Sequence, residues 1–247
     1  MEPLIRLRGL AKRFASVAAV DGIDLDVAPG TVVALLGPNG AGKTTTIRML
    51  MGQLRPSAGT ATVAGHDCFA ARDQVMALTG YVPDEPAFHD YLTGRELLRF
   101  VGGMHGLSAE AIGARASRWV QRLDLGEAID DFAVNYSKGM RKKLALALAL
   151  LPEPRLLICD EPANGLDPHA SRDLLALVRE LAAEGTTVLF STHLLDQAEK
   201  VADRAAIIAR GRLLAEGPVA ELRQAASAGG SLEDAFFALT APPAASP

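Results

Sequence analysis

The sequence predicts an α/β fold: a mostly parallel sheet, an N-terminal antiparallel β subdomain and an inserted α-helical subdomain. Three observations carry that prediction. Val32–Leu36 is an unbroken apolar run, followed by a glycine-rich turn and then helical patterning from Thr44 to Leu54. Such a run reads as a strand buried on both faces, the signature of a parallel sheet. Apolar strands at Leu156–Cys159, Thr187–Phe190 and Ala205–Ala209 return later, the first two separated by a helix from Ala170 to Glu184; alternation of this kind builds parallel α/β layers. Between these two regions, residues 93–151 pattern as helix, with no convincing strand.

Taken in order, Leu4–Leu7 alternates apolar and charged residues, as a half-buried strand should. Ile23–Val27 does the same, and Pro29-Gly30 turns the chain into the Val32 strand. Thr60–Ala64 is a short strand bounded by Gly59 and Gly65. No helix intervenes among these early strands, so they should pair as a small antiparallel sheet. Gly80–Pro86 is a strand end breaking into a proline-bracketed loop. The helical block follows, with Glu96, Leu97, Phe100 and Val101 on one helix, Ala114–Leu123 on a second and Ser137–Leu151 on a third. The third is apolar around its whole circumference and should be buried. Pro86 and Pro152 bound the insertion. Near the end, Pro218–Ala225 reads as a helix, Gly229-Gly230 as a hinge, Leu232–Leu239 as a short amphipathic helix and Pro242–Pro247 as disordered.

Composition sets limits. The 247 residues are 49% hydrophobic and 22% charged, ordinary for a soluble domain with one insertion. A net charge of −4 gives no global reason to expect nucleic acid as a partner. The longest purely aliphatic stretch, Leu144–Leu151, falls well short of the ~18 residues that span a bilayer. The N-terminus lacks the layout of a secretory signal, and Cys68 and Cys159 form no C-x-x-C pair. A reducing cytoplasm is the expected setting, with any membrane connection made through a partner.

The chemistry starts at Gly37-Pro38-Asn39-Gly40-Ala41-Gly42-Lys43-Thr44, which matches the phosphate-cradling pattern G-x-x-x-x-G-K-[ST]. Its glycines let backbone N–H groups converge on phosphate oxygens, and the following helix adds its positive end there. Lys43 would reach the β- and γ-phosphates, the Thr44 hydroxyl would hold Mg²⁺, and Thr45 would join the nucleotide-binding loop. The core is therefore that of a P-loop NTPase. Leu156–Pro162 is an apolar strand ending in two adjacent carboxylates. With that strand next to the phosphate loop, Asp160 would approach Mg²⁺ and Glu161 could accept a proton from an attacking water. Ser191-Thr192-His193 closes another strand, so His193 should lie at the same carboxyl edge and sense the γ-phosphate. Ser137 is either a plain N-cap or the start of a second anion site. Arg141-Lys142-Lys143 either faces a phosphate or protein partner or is a solvated face.

In this order the motifs Gly37–Thr44, Tyr81–Asp84, Tyr136–Met140, Leu156–Pro162, Gly165–Asp167 and Ser191–His193 resemble the nucleotide-binding subunit of an ABC transporter, over about residues 4–225. The resemblance implies an ATPase domain at 1–225, with its core in 1–86 and 152–225 and its helical subdomain in 87–151, followed by a short helix and tail at 226–247. It implies that Phe14 stacks on adenine and that Asp84 stands where the family places a glutamine contacting Mg²⁺ and the membrane subunit. Ser137 and Gly139 match the signature motif that reaches ATP held by a second subunit, and Asp167 the loop that communicates across that dimer. Glu161 falls on the catalytic glutamate and His193 on the switch histidine. Departures are Asp84 for glutamine, Lys138 for the first signature glycine and Met140 for the signature glutamine. Pro83–Pro86, Tyr136–Met140 and Ser231–Phe236 are similar to the ATPases of bacterial ABC-2-type exporters. The expected partners are a second copy and separate transmembrane permease subunits on the cytoplasmic face of the membrane, with ATP and Mg²⁺ bound and no nucleic acid. An importer subunit is the nearer alternative. A non-transport ABC ATPase acting on DNA or ribosomes is more distant, as is a GTPase or small-molecule kinase.

Overall fold

The structure is a computed structural model that describes residues 2–226 and 230–240. Strands β1 (Ile5–Phe14), β2 (Val17–Val27), β4 (Ala58–Val63) and β5 (His66–Asp67) form an antiparallel sheet in the order β2-β1-β4-β5. This is the small sheet expected of the early strands, with β1 and β2 longer than the alternating segments alone indicated. Strand β3 (Val32–Leu36) has all five residues buried and leads through the phosphate loop into helix α1 (Lys43–Leu50). Helix α1 ends four residues earlier than its patterning suggested, because Met51 caps it and the chain turns.

The larger sheet runs β10-β9-β3-β8-β7-β6, built from β6 (Thr79–Val82), β7 (Leu156–Asp160), β8 (Thr187–Thr192), β9 (Arg204–Ala209) and β10 (Arg212–Pro218). Five strands are parallel, and β10 adds an antiparallel edge beyond a turn at Arg210-Gly211. Strand β7 does not neighbour β3, as the sequence reading had it: β8 lies between them. The carboxyl ends still line up, since Leu36 pairs with Thr192 and Asp160 with Ser191. A parallel sheet with level ends gathers loops from distant chain segments along one edge.

The inserted block holds α3 (Gly94–Met104), α4 (Ala109–Arg122) and α5 (Lys138–Leu150). Helix α3 opens with a capping box in which Thr93 and Glu96 satisfy each other's backbone donors. Capped by Ser108, helix α4 starts at Ala109, five residues before the predicted Ala114, since small residues and Gly113 blur the apolar stripe. Helix α5 is buried as its composition requires, and its apolar residues join those of β3, β7 and β8 in one continuous cluster with Leu97, Leu98 and Trp119. The helical block is thus cemented to the sheet through α5. Helices α2 (Arg72–Leu78), α6 (Pro168–Ala183), α7 (Leu195–Val201), α8 (Val219–Ala226) and α9 (Leu232–Thr240) complete the fold. Of the expected hinge, Gly229 lies outside the described residues, as does the whole Pro242–Pro247 tail. Among the described residues no helix is long and apolar enough to cross a membrane.

Candidate functional site

The edge formed by the carboxyl ends of β3, β7 and β8 brings the phosphate loop, Asp160, Glu161 and His193 together. Two glycines of the loop are dictated by space and torsion. A Cβ on Gly37 would strike the Ile208 carbonyl oxygen, and Gly42 holds φ +110 with the Ala19 carbonyl oxygen 2.5 Å from where a Cβ would sit. Gly42 is the N-cap of α1 and offers no side-chain cap, so the first amides of the helix are left for a ligand. The Lys43 ammonium is almost fully buried and folds back on the loop, donating to the Gly37 carbonyl at 2.7 Å. Thr44 is exposed on the first turn, and Thr45 is half-buried beside it. Pro38, Asn39 and Gly40 form the exposed crest, while Ala41 is buried.

Asp160 is 3% exposed and accepts from the Ser191 hydroxyl at 2.5 Å. That hydroxyl also receives the Glu161 N–H at 2.9 Å. Ser191 therefore ties the Asp160 carboxylate to the Glu161 backbone. Glu161 takes φ +47, a left-handed conformation that costs a non-glycine residue about 1–2 kcal/mol. Its carboxylate lies 3.3 Å from Lys43 Nζ and 2.9 Å from His193 Nδ1. So the two adjacent acids do part, one to the sheet interior and one to the loop lysine. The donor set of Thr44 hydroxyl and Asp160 carboxylate is hard oxygen, which suits Mg²⁺. Tyr81, beside Asp160's strand, has its phenol pushed up to about 12 by burial and by the charge of Asp160, and stays protonated. Burial likewise pushes the Cys159 thiol up to about 12, so it supplies no thiolate.

Asp84 is part-exposed in the loop after β6, accepting from Asn164 Nδ2 at 3.1 Å and standing 3.7 Å from Lys142 Nζ. Phe14 is 48% exposed at the end of β1, with Lys12 Nζ 5.3 Å from its ring centroid. Ser137 caps α5 by accepting from the Met140 N–H, and is exposed. Gly139 lies one residue into that helix, beside Leu166 of the loop before α6. Asp167 caps α6; the Ala170 and His169 amides hold its carboxyl below the usual range. Phe14, Ser137, Gly139 and Asp167 do not touch the Lys43–Glu161–His193 group in the contacts the structure makes.

Arg141-Lys142-Lys143 does not act as one face, and its middle member is not solvated. Arg141 donates to the Ala133 and Pro86 carbonyls and stacks on Phe88, Lys143 faces Asp124, and Lys142 is buried. Helix rotation explains the split, since successive residues point about 100° apart. Ser191, Lys142 and Asn164 are site residues that single-residue reasoning missed. Ser191 alone carried a signal, as the strand-terminal neighbour of a motif histidine.

Residues 20–164 match the family described as ABC transporter. The chain belongs to that family. Its cassette is 42% identical, over 89% of the chain, to the daunorubicin resistance ATP-binding protein DrrA3 of Streptomyces coeruleorubidus. It is 36% identical, over 90% of the chain, to the Nod factor export ATP-binding protein I of Cupriavidus metallidurans. The chain spans 69% and 73% of those relatives' lengths. A solved structure of an ATP-binding subunit of an ABC transporter superposes with a TM-score of 0.90 at 33% identity, covering 96% of this chain and 99% of that one. CbiO1 of Clostridium perfringens, part of the complex cbiONQ, gives 0.78 at 25% identity, with 88% and 89% covered. This ABC cassette is thus an ATP-binding, ATP-hydrolysing one, on the P-loop α/β fold that the sequence predicted.

Proposed function

We propose that this ABC cassette powers export through separate membrane-spanning subunits, from the cytoplasmic face of the membrane, and hydrolyses ATP in sites shared by two copies of itself. The placement of the Glu161 carboxylate, between Lys43 and His193 at the mouth of the loop, carries the hydrolytic reading. Lys43 and the amides of the Gly37–Thr45 loop hold the phosphates, and Phe14 offers a ring face to adenine. Thr44 and Asp160 would hold Mg²⁺, with Asp84 as a further oxygen ligand. When bound, Mg²⁺ neutralises charge on the β- and γ-oxygens. Glu161 takes the proton of the attacking water, and His193 hydrogen-bonds the γ-phosphate. Ser137 and Gly139 of the second copy close on that phosphate from the far side, with Asp167 facing the join. Within each copy residues 1–225 work as the ATPase unit, and residues 87–151 relay its closure to the membrane partner.

Relatives named for drug resistance and for Nod factor export favour the exporter over the importer. Glu161→Gln keeps the shape and removes the base. It should bind ATP within about threefold of wild type while kcat falls by roughly 10²–10⁴. Hydrolysis at the wild-type rate in that variant would exclude Glu161 as the base.

A further inference from the structure

The second residue of the α5 basic run belongs to none of the roles above. Lys142 is 2% exposed, yet it carries an ammonium into the core. A buried ammonium is tolerable when its three donors are used. Here Nζ donates to the carbonyl oxygen of Glu161 at 2.7 Å and of Pro162 at 3.1 Å, and stands 3.7 Å from Asp84 Oδ1. Asp84 is itself held by Asn164 Nδ2. The peptide groups flanking Glu161 are therefore clamped from two elements: β8 takes its N–H through Ser191, and α5 takes its C=O through Lys142.

That clamp matters because Glu161 sits at φ +47. Relaxing to an extended conformation would swing the carbonyl away from Lys142 and the carboxylate away from Lys43 and His193. We infer that Lys142 is a positioning residue for hydrolysis, holding Glu161 in the left-handed conformation that aims its carboxylate at the phosphate loop. The inference deepens the proposed role of Glu161 and rests on it. It also ties that aim to the helical block. Lys142 and the Ser137 cap are five residues apart on one rigid rod, about 7.5 Å along its axis. A displacement of the Ser137 end thus moves the group that holds the Glu161 carbonyl. Asp84 and Asn164 complete the same cluster from the loops after β6 and β7.

The test compares Lys142→Met, which removes the donors, with Lys142→Arg, which keeps donors for both carbonyls. Lys142→Met should lower kcat by about tenfold or more, with the Kd for ATP, measured by calorimetry, within about twofold. Lys142→Arg should recover at least about a third of the wild-type kcat. An unchanged kcat in Lys142→Met overturns the inference. So does a folded Lys142→Arg as slow as Lys142→Met, because loss of packing and not of donors would then be the cause. If Lys142→Met does not fold, Lys142→Leu, which likewise has no donor, is judged by the same criteria. Glu161→Gln measured in parallel separates the two levels. Hydrolysis surviving there removes the base itself, whereas an inactive Glu161→Gln beside a fully active Lys142→Met removes the positioning role alone.

Discussion

Two backbone bonds and two side chains decide where the Glu161 carboxylate points, and only its identity was readable in advance. Adjacent carboxylates at a strand end announce two directions, which Asp160 and Glu161 take. The left-handed turn that sends Glu161 to Lys43 depends on Ser191 and Lys142, which are remote in sequence. Lys142 was misread for a physical reason: a basic run looks solvated until the fold supplies carbonyls and an acid for its middle member. Two predictions belong at this scale. Base–aromatic stacking is worth about 1–3 kcal/mol, so Phe14→Ala should raise the Kd for ATP by roughly 5- to 150-fold in calorimetry. An unchanged Kd would make Phe14 a bystander. Asp84→Ala should raise the Mg²⁺ concentration for half-maximal ATPase activity. If that midpoint stays put, Asp84 serves only as the counter-charge of Lys142.

Elements that are buried on both faces were legible almost to the residue. Strands β3, β7 and β8 each carry an unbroken apolar run, and their polar residues are confined to the strand ends, where they do not confuse the pattern. Helix α2 escaped because only Val75 is buried, and α7 because it has seven residues with two buried. Strand β10 escaped because it lies at a sheet edge and alternates with Arg212 and Glu216. The order of strands was also hidden, since sequence motifs reveal that β3 and β7 share an edge but not that β8 separates them. Helix α3 depends on its capping box. Thr93→Ala should cost about 1 kcal/mol and lower Tm by about 2–4 °C while leaving the Kd for ATP unaltered. A Tm equal to wild type would show the box to be dispensable.

At the scale of the whole molecule, the residues divide into two sets that one copy does not bring together. Lys43, Asp160, Glu161 and His193 share an edge, whereas Ser137 is the exposed N-cap of α5 and Gly139 lies in its first turn. The same α5 is fused to the sheet core and holds the Glu161 carbonyl, so in the dimer proposed above closure at Ser137 would carry the aim of Glu161 with it. The central claim is that each ATP site takes Glu161 from one copy and Ser137 from another. Mixing two inactive variants, Glu161→Gln and Ser137→Arg, before ATP is added tests it most directly. A mixed dimer contains one site with both residues intact, so the mixture should regain up to about a quarter of the wild-type ATPase rate. A mixture no more active than the average of its two components would contradict a site shared between copies.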